Sequence, residues 1–233
     1  MRNCKFQKTR SPPDSAPDSA RLDFRTNVHL ITERERIMQT NEMKLTRAEA
    51  EQMLKTGLMI GACKTEESDQ YLSKESGLDG ISKYLIICLD SDNESVKFIR
   101  EKESIKAHLR MLAWNEDEAW TIAEENTKRN MEITPISKVL YNQEPEEDFL
   151  YVITNQSRWH GAGCAFNSEA LADFAKKHHT RRIVLLPSSV HEMLIVPHPE
   201  TIEENLSDMV KEINDSMVEP EERLTDRAYP IQF

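Results

Sequence analysis

Long apolar runs are missing from this chain of 233 residues. No stretch approaches the roughly 18 to 20 consecutive apolar residues that a membrane-spanning helix needs, so we expect no membrane segment. The N-terminus is charged and lacks the apolar stretch of a secretory signal. We therefore expect a cytoplasmic protein, in which the 38% of residues that are hydrophobic are enough to form a packed core.

Cysteine is scarce as well. The four cysteines lie far apart, and none of them forms a Cys-x-x-Cys pair. This spacing argues against a zinc knuckle and is typical of reduced thiols in a cytosol. The Gly-x-Ser-x-Gly pattern that marks the nucleophile of α/β-hydrolases is also missing from the sequence. No pattern indicates a cofactor, and we expect none.

Basic residues are outnumbered, and the formal net charge is −11 at pH 7. Residues 1–40 carry eight basic and five acidic side chains, so they contribute +3 and the rest of the chain carries −14. A body this acidic repels phosphate groups, which argues against nucleic acid and anionic membranes as partners. We expect the partner to be another protein or a second copy of this chain.

The composition divides the chain into three regions. Residues 1–40 contain a short repeat of Pro, Ser and Asp, which cannot bury enough apolar surface to offset its ordering entropy. We predict a disordered tail there, and translation could also begin after it. Residues 41–112 are predicted to form a helix–strand–helix region, and residues 113–233 a C-terminal module. These two regions could also form one domain over residues 41–233.

Local signals place several elements in the first half of the chain. Thr46–Glu49 and Asn115–Glu118 are capping boxes, each of which predicts the first turn of a helix. The continuous apolar run Tyr84–Leu89 predicts a strand that is buried on both faces. Residues 93–112 are predicted to be helical. Residues 130–148 are acidic and contain proline, and we expect an irregular surface connection there.

The stretch Phe149–Pro197 predicts a hairpin, a helix and a second hairpin. We expect the first hairpin to turn at residues 156–159 and to return along residues 160–166, and the helix to begin after Asn167. With the final amphipathic helix, the order of elements is ββαββα. This order predicts an α+β fold with a mainly antiparallel sheet and helices packed on one face. The other face is then free for solvent or a partner.

The second half of the chain carries a set of motifs that are specific in combination. They are Glu124-Glu125-Asn126-Thr127, Tyr151-Val-Ile-Thr-Asn155, Gly161-Ala162, Leu186-Pro-Ser-Ser-Val-His-Glu192, Met209-Val-Lys-Glu-Ile-Asn214 and Val218-x-Pro220-Glu-Glu222-x-Leu224-x-Asp226. Over about residues 111–233, the sequence resembles an uncharacterised bacterial family, a domain of unknown function. That family usually has Asn in place of His160 and Ala in place of Gly163. The resemblance implies a soluble bacterial protein and assigns no catalytic residue.

Ser188, Ser189, His191 and Glu192 form the sharpest candidate for a catalytic group. If the chain from residue 190 onward is a strand, Ser189 and His191 point to one face and Glu192 to the other. A Ser–His pair two residues apart is too constrained for good alignment of hydroxyl and imidazole. The alternative is a turn in which the serine hydroxyls bond backbone amides while His191 anchors the turn to its neighbour.

Cys164 is a candidate thiol nucleophile with His160 and His191, and a candidate metal ligand with Glu192. A nucleophilic thiol needs a pKa lowered by a nearby cation or a helix N-terminus. The alternative is a small, buried cysteine beside glycines. A hydrolase or thiol enzyme that uses Ser189, His191 and Cys164 is therefore the second hypothesis for the function.

Asp90 and Asp92 follow the predicted buried strand. Two carboxylates at this spacing can chelate a hard cation, as in the Asp-x-Asp element of phosphoryl-transfer domains such as Toprim. The upstream strand ending in Glu-Gly that such a domain needs is missing from the sequence. The alternative is that both aspartates belong to a turn and a helix cap.

Trp159 and Arg158 lie in the predicted turn, and exposed aromatic side chains on an acidic surface are typical of a protein contact. The final helix presents Glu203, Asp208 and Glu212 away from its apolar stripe. These acidic side chains either solvate the helix or steer a basic partner towards it. Because no catalytic set is complete, the main hypothesis is a non-enzymatic protein-interaction module.

Overall fold

The computed structural model describes residues 46–89, 97–201 and 205–233. In these ranges, the helices are α1 (Arg47–Gly57), α2 (Lys102–Leu112), α3 (Glu116–Asn130), α4 (Ile136–Tyr141), α5 (Ser168–Lys177) and α6 (Leu206–Met217). The strands are β1 (Leu58–Lys64), β2 (Ser73–Glu75), β3 (Ile81–Leu89), β4 (Lys97–Ile99), β5 (Met131–Pro135), β6 (Tyr151–Asn155), β7 (Arg182–Pro187), β8 (Met193–Val196) and β9 (Tyr229–Gln232). None of the helices in these ranges has the length and apolar character needed to cross a membrane.

Four strands form the first sheet, with β3 at its centre. β1 pairs with one edge of β3, while β2 and β4 pair with the two ends of its other edge. On one face of this sheet, Leu58, Ile60, Leu85 and Ile87 pack into an apolar cluster with residues of α1, α2 and α3. Strand β3 contains the predicted strand Tyr84–Leu89, which is confirmed.

The capping boxes predicted at Thr46 and Asn115 are confirmed, whereas the final helix, before which Thr201 and Glu204 form the same sequence pattern, is capped by Asn205. The Thr46 hydroxyl accepts the Glu49 N–H at 3.3 Å, and the Glu49 carboxylate accepts the Thr46 N–H at 2.8 Å. Asn115 and Glu118 make the same exchange at the start of α3. Each box satisfies two backbone donors that the helix itself cannot bond.

The helix predicted over residues 93–112 is wrong at its beginning. Residues 90–96 lie outside the described ranges, Lys97–Ile99 form β4, and α2 begins at Lys102. The three residues of β4 pair with the end of β3, the preceding strand, and this pairing overrides the local helical pattern.

The second sheet has five strands in the order β5-β6-β8-β7-β9, and every pair is antiparallel. The α+β class is therefore confirmed. The helices, however, do not all lie on one face. Ile183 and Leu185 pack towards α5, whereas the alternate residues Val184 and Leu186 pack on the other face with Val210 of α6. Because β7 is apolar on both sides, each face of the sheet needs its own cover.

The first predicted hairpin is wrong in its second strand. Gly161–Phe166 form a 3-10 helix, and β6 pairs instead with β8 and with β5, which lies in the stretch predicted to be irregular. Met131 and Ile133 alternate with polar residues, which is the pattern of a half-buried edge strand. From β5 onward the order is β5-α4-β6-α5-β7-β8-α6-β9, which is the predicted ββαββα with α4 inserted between the first two strands and β9 added at the end.

The 3-10 helix Gly161–Phe166, here called the junction helix, lies between the two sheets. A Cβ atom on Gly163 would be 2.0 Å from the carbonyl oxygen of Ile60 in β1. A Cβ atom on Gly161 would be 2.3 Å from the Thr154 hydroxyl in β6. The junction helix therefore contacts both sheets through positions that have no side chain. The predicted boundary between the regions 41–112 and 113–233 stays a prediction.

Candidate functional site

The turn that follows β6, residues 156–160, is organised by one buried side chain. Asn155 is 1% exposed, and its amide nitrogen donates to the carbonyl oxygen of Trp159 at 2.7 Å. Its amide oxygen accepts the Ser157 hydroxyl at 2.9 Å and the Trp159 N–H at 3.2 Å. These three bonds fix the backbone of residues 156–160, which we call the Trp159 turn, without help from a ligand.

Trp159 stands between two residues with left-handed backbone conformations. Arg158 has φ 58° and His160 has φ 47°. Such angles cost energy for residues with a side chain, and they are concentrated at functional positions. The result is that the half-buried Trp159 ring packs edge-on against His191, with 4.7 Å between ring centroids. Arg158 is exposed beside it.

His191 holds this arrangement through both of its ring nitrogens. Nδ1 accepts the backbone N–H of His160 at 3.1 Å, and Nε2 lies 3.4 Å from a carboxylate oxygen of Glu222. A nitrogen that accepts an N–H cannot carry a proton, so the proton of the neutral ring is on Nε2 and points to Glu222. The Glu222 carbonyl in turn accepts the backbone N–H of Val190, next to His191.

Ser188 and Ser189 belong to the turn between β7 and β8. The Ser189 hydroxyl accepts the backbone N–H of His191 at 3.1 Å, and the Ser189 N–H donates to the carbonyl of Glu192 at 3.2 Å. The Ser188 hydroxyl reaches a carboxylate oxygen of Glu192 at 3.5 Å. Among the hydrogen bonds of the described residues, none joins either serine hydroxyl to the His191 imidazole. The hydroxyl of Ser189 therefore bonds a backbone amide, as expected for the turn that was the alternative to a catalytic group.

Glu192 is half-buried between this turn and the Trp159 turn. Burial raises the pKa of its carboxyl group, and the hydrogen bond from Ser188 and the charge of Arg158 oppose this rise. A carboxylate that is partly desolvated and near an exposed arginine marks this edge of the molecule as a candidate binding position. The expectation that Glu192 would point away from Ser189 and His191 assumed a strand from residue 190, whereas β8 begins at Met193.

Tyr84 extends the cluster on the side of the first sheet. Its ring lies across Gly61, where a Cβ atom would be 2.6 Å from Cζ, and its hydroxyl is 3.2 Å from Nδ1 of His160. The ring also stacks on Tyr71 at 4.4 Å between centroids. Burial raises the pKa of Tyr84, and the Arg100 guanidinium opposes this rise. The hydroxyl therefore stays protonated and acts as a hydrogen-bonding group.

Together these residues form one aromatic cluster that spans the Trp159 turn and the outer face of the first sheet. Its members are Tyr71, Tyr84, Phe98, Trp159, His160 and His191. Phe98 of β4 packs edge-on against His160 at 4.8 Å and lies 6.3 Å from Trp159. Such ring pairs contribute roughly 0.5 to 1.5 kcal/mol each beyond the area they bury.

Cys164 lies apart from this cluster, in the apolar core of the junction helix. It has no exposed surface, and burial raises the pKa of its thiol to about 12. A thiol with such a pKa is not the thiolate that nucleophilic attack and metal binding require. The described residues contain no group of three or more His, Cys, Asp or Glu that could hold a metal ion.

The remaining candidates are distributed elsewhere. Asp208 and Glu212 are exposed on α6, beside Lys211 and Asp215, which form an ion pair at 2.7 Å. Glu203, Asp90 and Asp92 lie outside the described residues, as does the N-terminal tail. The structure therefore brings together Trp159, Arg158, His191 and the two turn serines with Glu192, and it does not bring Cys164 or the acidic residues of α6 to them.

A family model, described as a family of unknown function (DUF5688), matches residues 29–231. The chain belongs to DUF5688. The match confirms the resemblance to a domain of unknown function and extends it about eighty residues towards the N-terminus. No curated protein and no solved structure matches this DUF5688 chain.

Several residues that hold the candidate site of this DUF5688 chain were missed by the sequence reasoning. Asn155 was interpreted only as the end of a strand. An Asn side chain before a turn often forms hydrogen bonds with the backbone of that turn, and this signal was overlooked. Glu222 and Tyr84 carry no signal of their own, because their partners His191 and His160 are 31 and 76 residues away along the chain. Contacts over such distances follow from the fold.

Proposed function

We propose that the chain is a non-enzymatic protein-interaction module, with Trp159 and Arg158 at the centre of its contact surface. The observation that carries this proposal is that the Trp159 turn is held in one conformation by Asn155 and His191 before any partner binds. A pre-ordered turn loses little conformational entropy on binding. Tryptophan and arginine are also the residue types most enriched among those that dominate interface energies.

The alternative of a hydrolase or thiol enzyme has less support. A general base needs a free ring nitrogen, and both nitrogens of His191 are engaged in holding the turn. The Ser189 hydroxyl is directed to a backbone N–H, and Cys164 is sealed in the core. The metal-dependent alternative at Asp90 and Asp92 falls on residues outside the described ranges and has no support from the others.

We also propose a bacterial, cytoplasmic setting and a basic protein partner. Cys63, Cys88 and Cys164, the cysteines in the described ranges, are all free thiols, as expected in a reducing compartment. The acidic side chains Asp208 and Glu212, with Glu203, would raise the rate of encounter with a basic partner, and this rate would fall with added salt.

Photo-crosslinking tests the Trp159 surface directly. Arg158 would be replaced by p-benzoylphenylalanine in the chain expressed in its own host, and Lys177, which is exposed on α5, would be replaced in a matched control. We expect a discrete protein adduct from position 158 that is lost when Trp159→Ala is added, because the ring that anchors the contact is removed.

Two results would overturn this proposal. The first is an adduct pattern at position 158 that is unchanged by Trp159→Ala or is identical at position 177. The second is the absence of any adduct at position 158 under conditions where the control protein is abundant. Circular dichroism of Trp159→Ala checks that the variant is folded, since the ring packs against His191.

A further inference from the structure

A second surface lies at the opposite end of β6 from the Trp159 turn. It consists of α4 and residues 142–149, and we call it the α4 surface. Leu140, Tyr141 and Phe149 are 55%, 69% and 67% exposed. Single exposed apolar residues are ordinary, but three large ones within ten residues form a concentration that a solvated loop does not need.

The exposure of these side chains does not arise from a frayed backbone. The Asp148 carboxylate accepts the N–H groups of Ser137 and Phe149, each at 2.8 Å. The Asp148 N–H donates to the Tyr151 hydroxyl at 2.9 Å, and the Ile136 N–H donates to the carbonyl of Leu150 at 3.0 Å. These bonds tie α4 to the start of β6, so the apolar side chains stand on a fixed support.

The charges near the α4 surface indicate which class of partner could bind to it. Residues 136–149 contain four acidic side chains, Glu144, Glu146, Glu147 and Asp148, and one basic side chain, Lys138, which pairs with Glu144. A second copy of this acidic chain would bring like charge against like charge, and an anionic lipid surface would do the same. Apolar side chains in a segment rich in carboxylates are complementary to apolar side chains flanked by Lys or Arg.

We propose that the α4 surface docks a basic, apolar segment of a partner protein. The side chains of Leu140, Tyr141 and Phe149 supply the apolar contact, and the neighbouring carboxylates supply the attraction and the selectivity for a basic segment. The proposal rests on the proposed function, because it names the chemistry of the partner. It concerns a different surface, since the Trp159 turn follows Asn155, whereas Leu140 and Phe149 lie near Tyr151 at the other end of β6.

The test uses a phage-displayed library of random 12-residue peptides as the probe, panned on the full chain. We expect enriched peptides that combine large apolar residues with Lys or Arg, and binding that weakens with added salt. The triple variant Leu140→Ser/Tyr141→Ser/Phe149→Ser should weaken binding of an enriched peptide at least tenfold, measured by fluorescence anisotropy. All three positions are exposed, so the variant should keep its fold and its thermal midpoint.

Met217→Ser is the matched control, because Met217 is 81% exposed on α6, away from the α4 surface. It should bind the peptide as the natural chain does. Enriched peptides that are acidic, equal binding to the triple variant, or no enrichment above background would each overturn the docking proposal. A lost crosslink at position 158 with intact peptide binding would instead overturn the contact surface at Trp159.

Discussion

Gly161→Ala is expected to lower the free energy of unfolding by about 4 kcal/mol or more, enough to leave much of the chain unfolded. The added Cβ would lie 2.3 Å from the Thr154 hydroxyl, 2.6 Å from the Asn155 nitrogen and 2.8 Å from the His191 carbonyl oxygen. Two of these atoms are backbone and cannot rotate away. The Gly161 N–H also donates to the His191 carbonyl, so a shift of the junction helix breaks that bond.

Urea unfolding of the variant measures this loss, and Gly77→Ala is the control. Gly77 has φ 88° and no atom within 4 Å of its hypothetical Cβ, so its substitution adds backbone strain without a clash. That strain costs about 1 to 2 kcal/mol. If Gly161→Ala were no more destabilising than Gly77→Ala, the junction helix would not be packed as tightly between the sheets as the structure has it.

Gly61→Ala is expected to lower the free energy of unfolding by about 2 to 4 kcal/mol. The new methyl group would lie 2.6 Å from Cζ of Tyr84 and 2.8 Å from its hydroxyl oxygen, so the ring has to move. It would then lose both the stacking on Tyr71 and the hydrogen bond to His160. The Trp159 turn would lose one of its supports on the first sheet.

A double-mutant cycle isolates this effect. In a Tyr84→Leu background the ring is already absent, and adding Gly61→Ala should cost less than about 1 kcal/mol. The thermal and urea unfolding of the four proteins supplies the numbers. Additive costs would mean that the Tyr84 ring is not what excludes a side chain at position 61.

The sequence predicts the parts of the fold that depend on near neighbours. The capping boxes at Thr46 and Asn115 bond atoms three residues apart, and β3 shows its burial by an unbroken apolar run. Elements fixed by distant partners were missed. The junction helix has a run of small residues that is compatible with a strand, and its position follows from Gly163 lying against Ile60, about a hundred residues earlier.

In the candidate site, too, the contacts between near neighbours were predictable from the sequence and the contacts between distant residues were not. The spacing of Ser189 and His191 predicted a turn with side chain to backbone bonds, because two residues suffice to form it. The roles of His160, Glu222 and Tyr84 could not be predicted, since each depends on how the two sheets meet at the junction helix. The α4 surface could not be predicted either, because residues 136–148 carry no strong periodic pattern and belong to the stretch predicted to be an irregular connection.

In the proposed function, the residues that resemble a catalytic set have a structural role within the aromatic cluster. His191 joins the turn between β7 and β8 to the Trp159 turn, and Glu222 fixes the orientation of its ring. The strained conformations of Arg158 and His160 are compensated by the bonds of Asn155. In the proposed function, the hydrogen bonds of these polar groups fix the shape of the contact surface.

The central claim is that His191 is a structural anchor, and long-range ¹H–¹⁵N spectra of its imidazole at neutral pH test this most directly. The signals can be assigned by their loss in His191→Gln. The hydrogen bonds predict one dominant form, with a proton on Nε2 and a hydrogen-bonded Nδ1 that carries none. A ring that exchanges between tautomers, or that carries its proton on Nδ1, would contradict the account, because His191 would then be available as a proton acceptor.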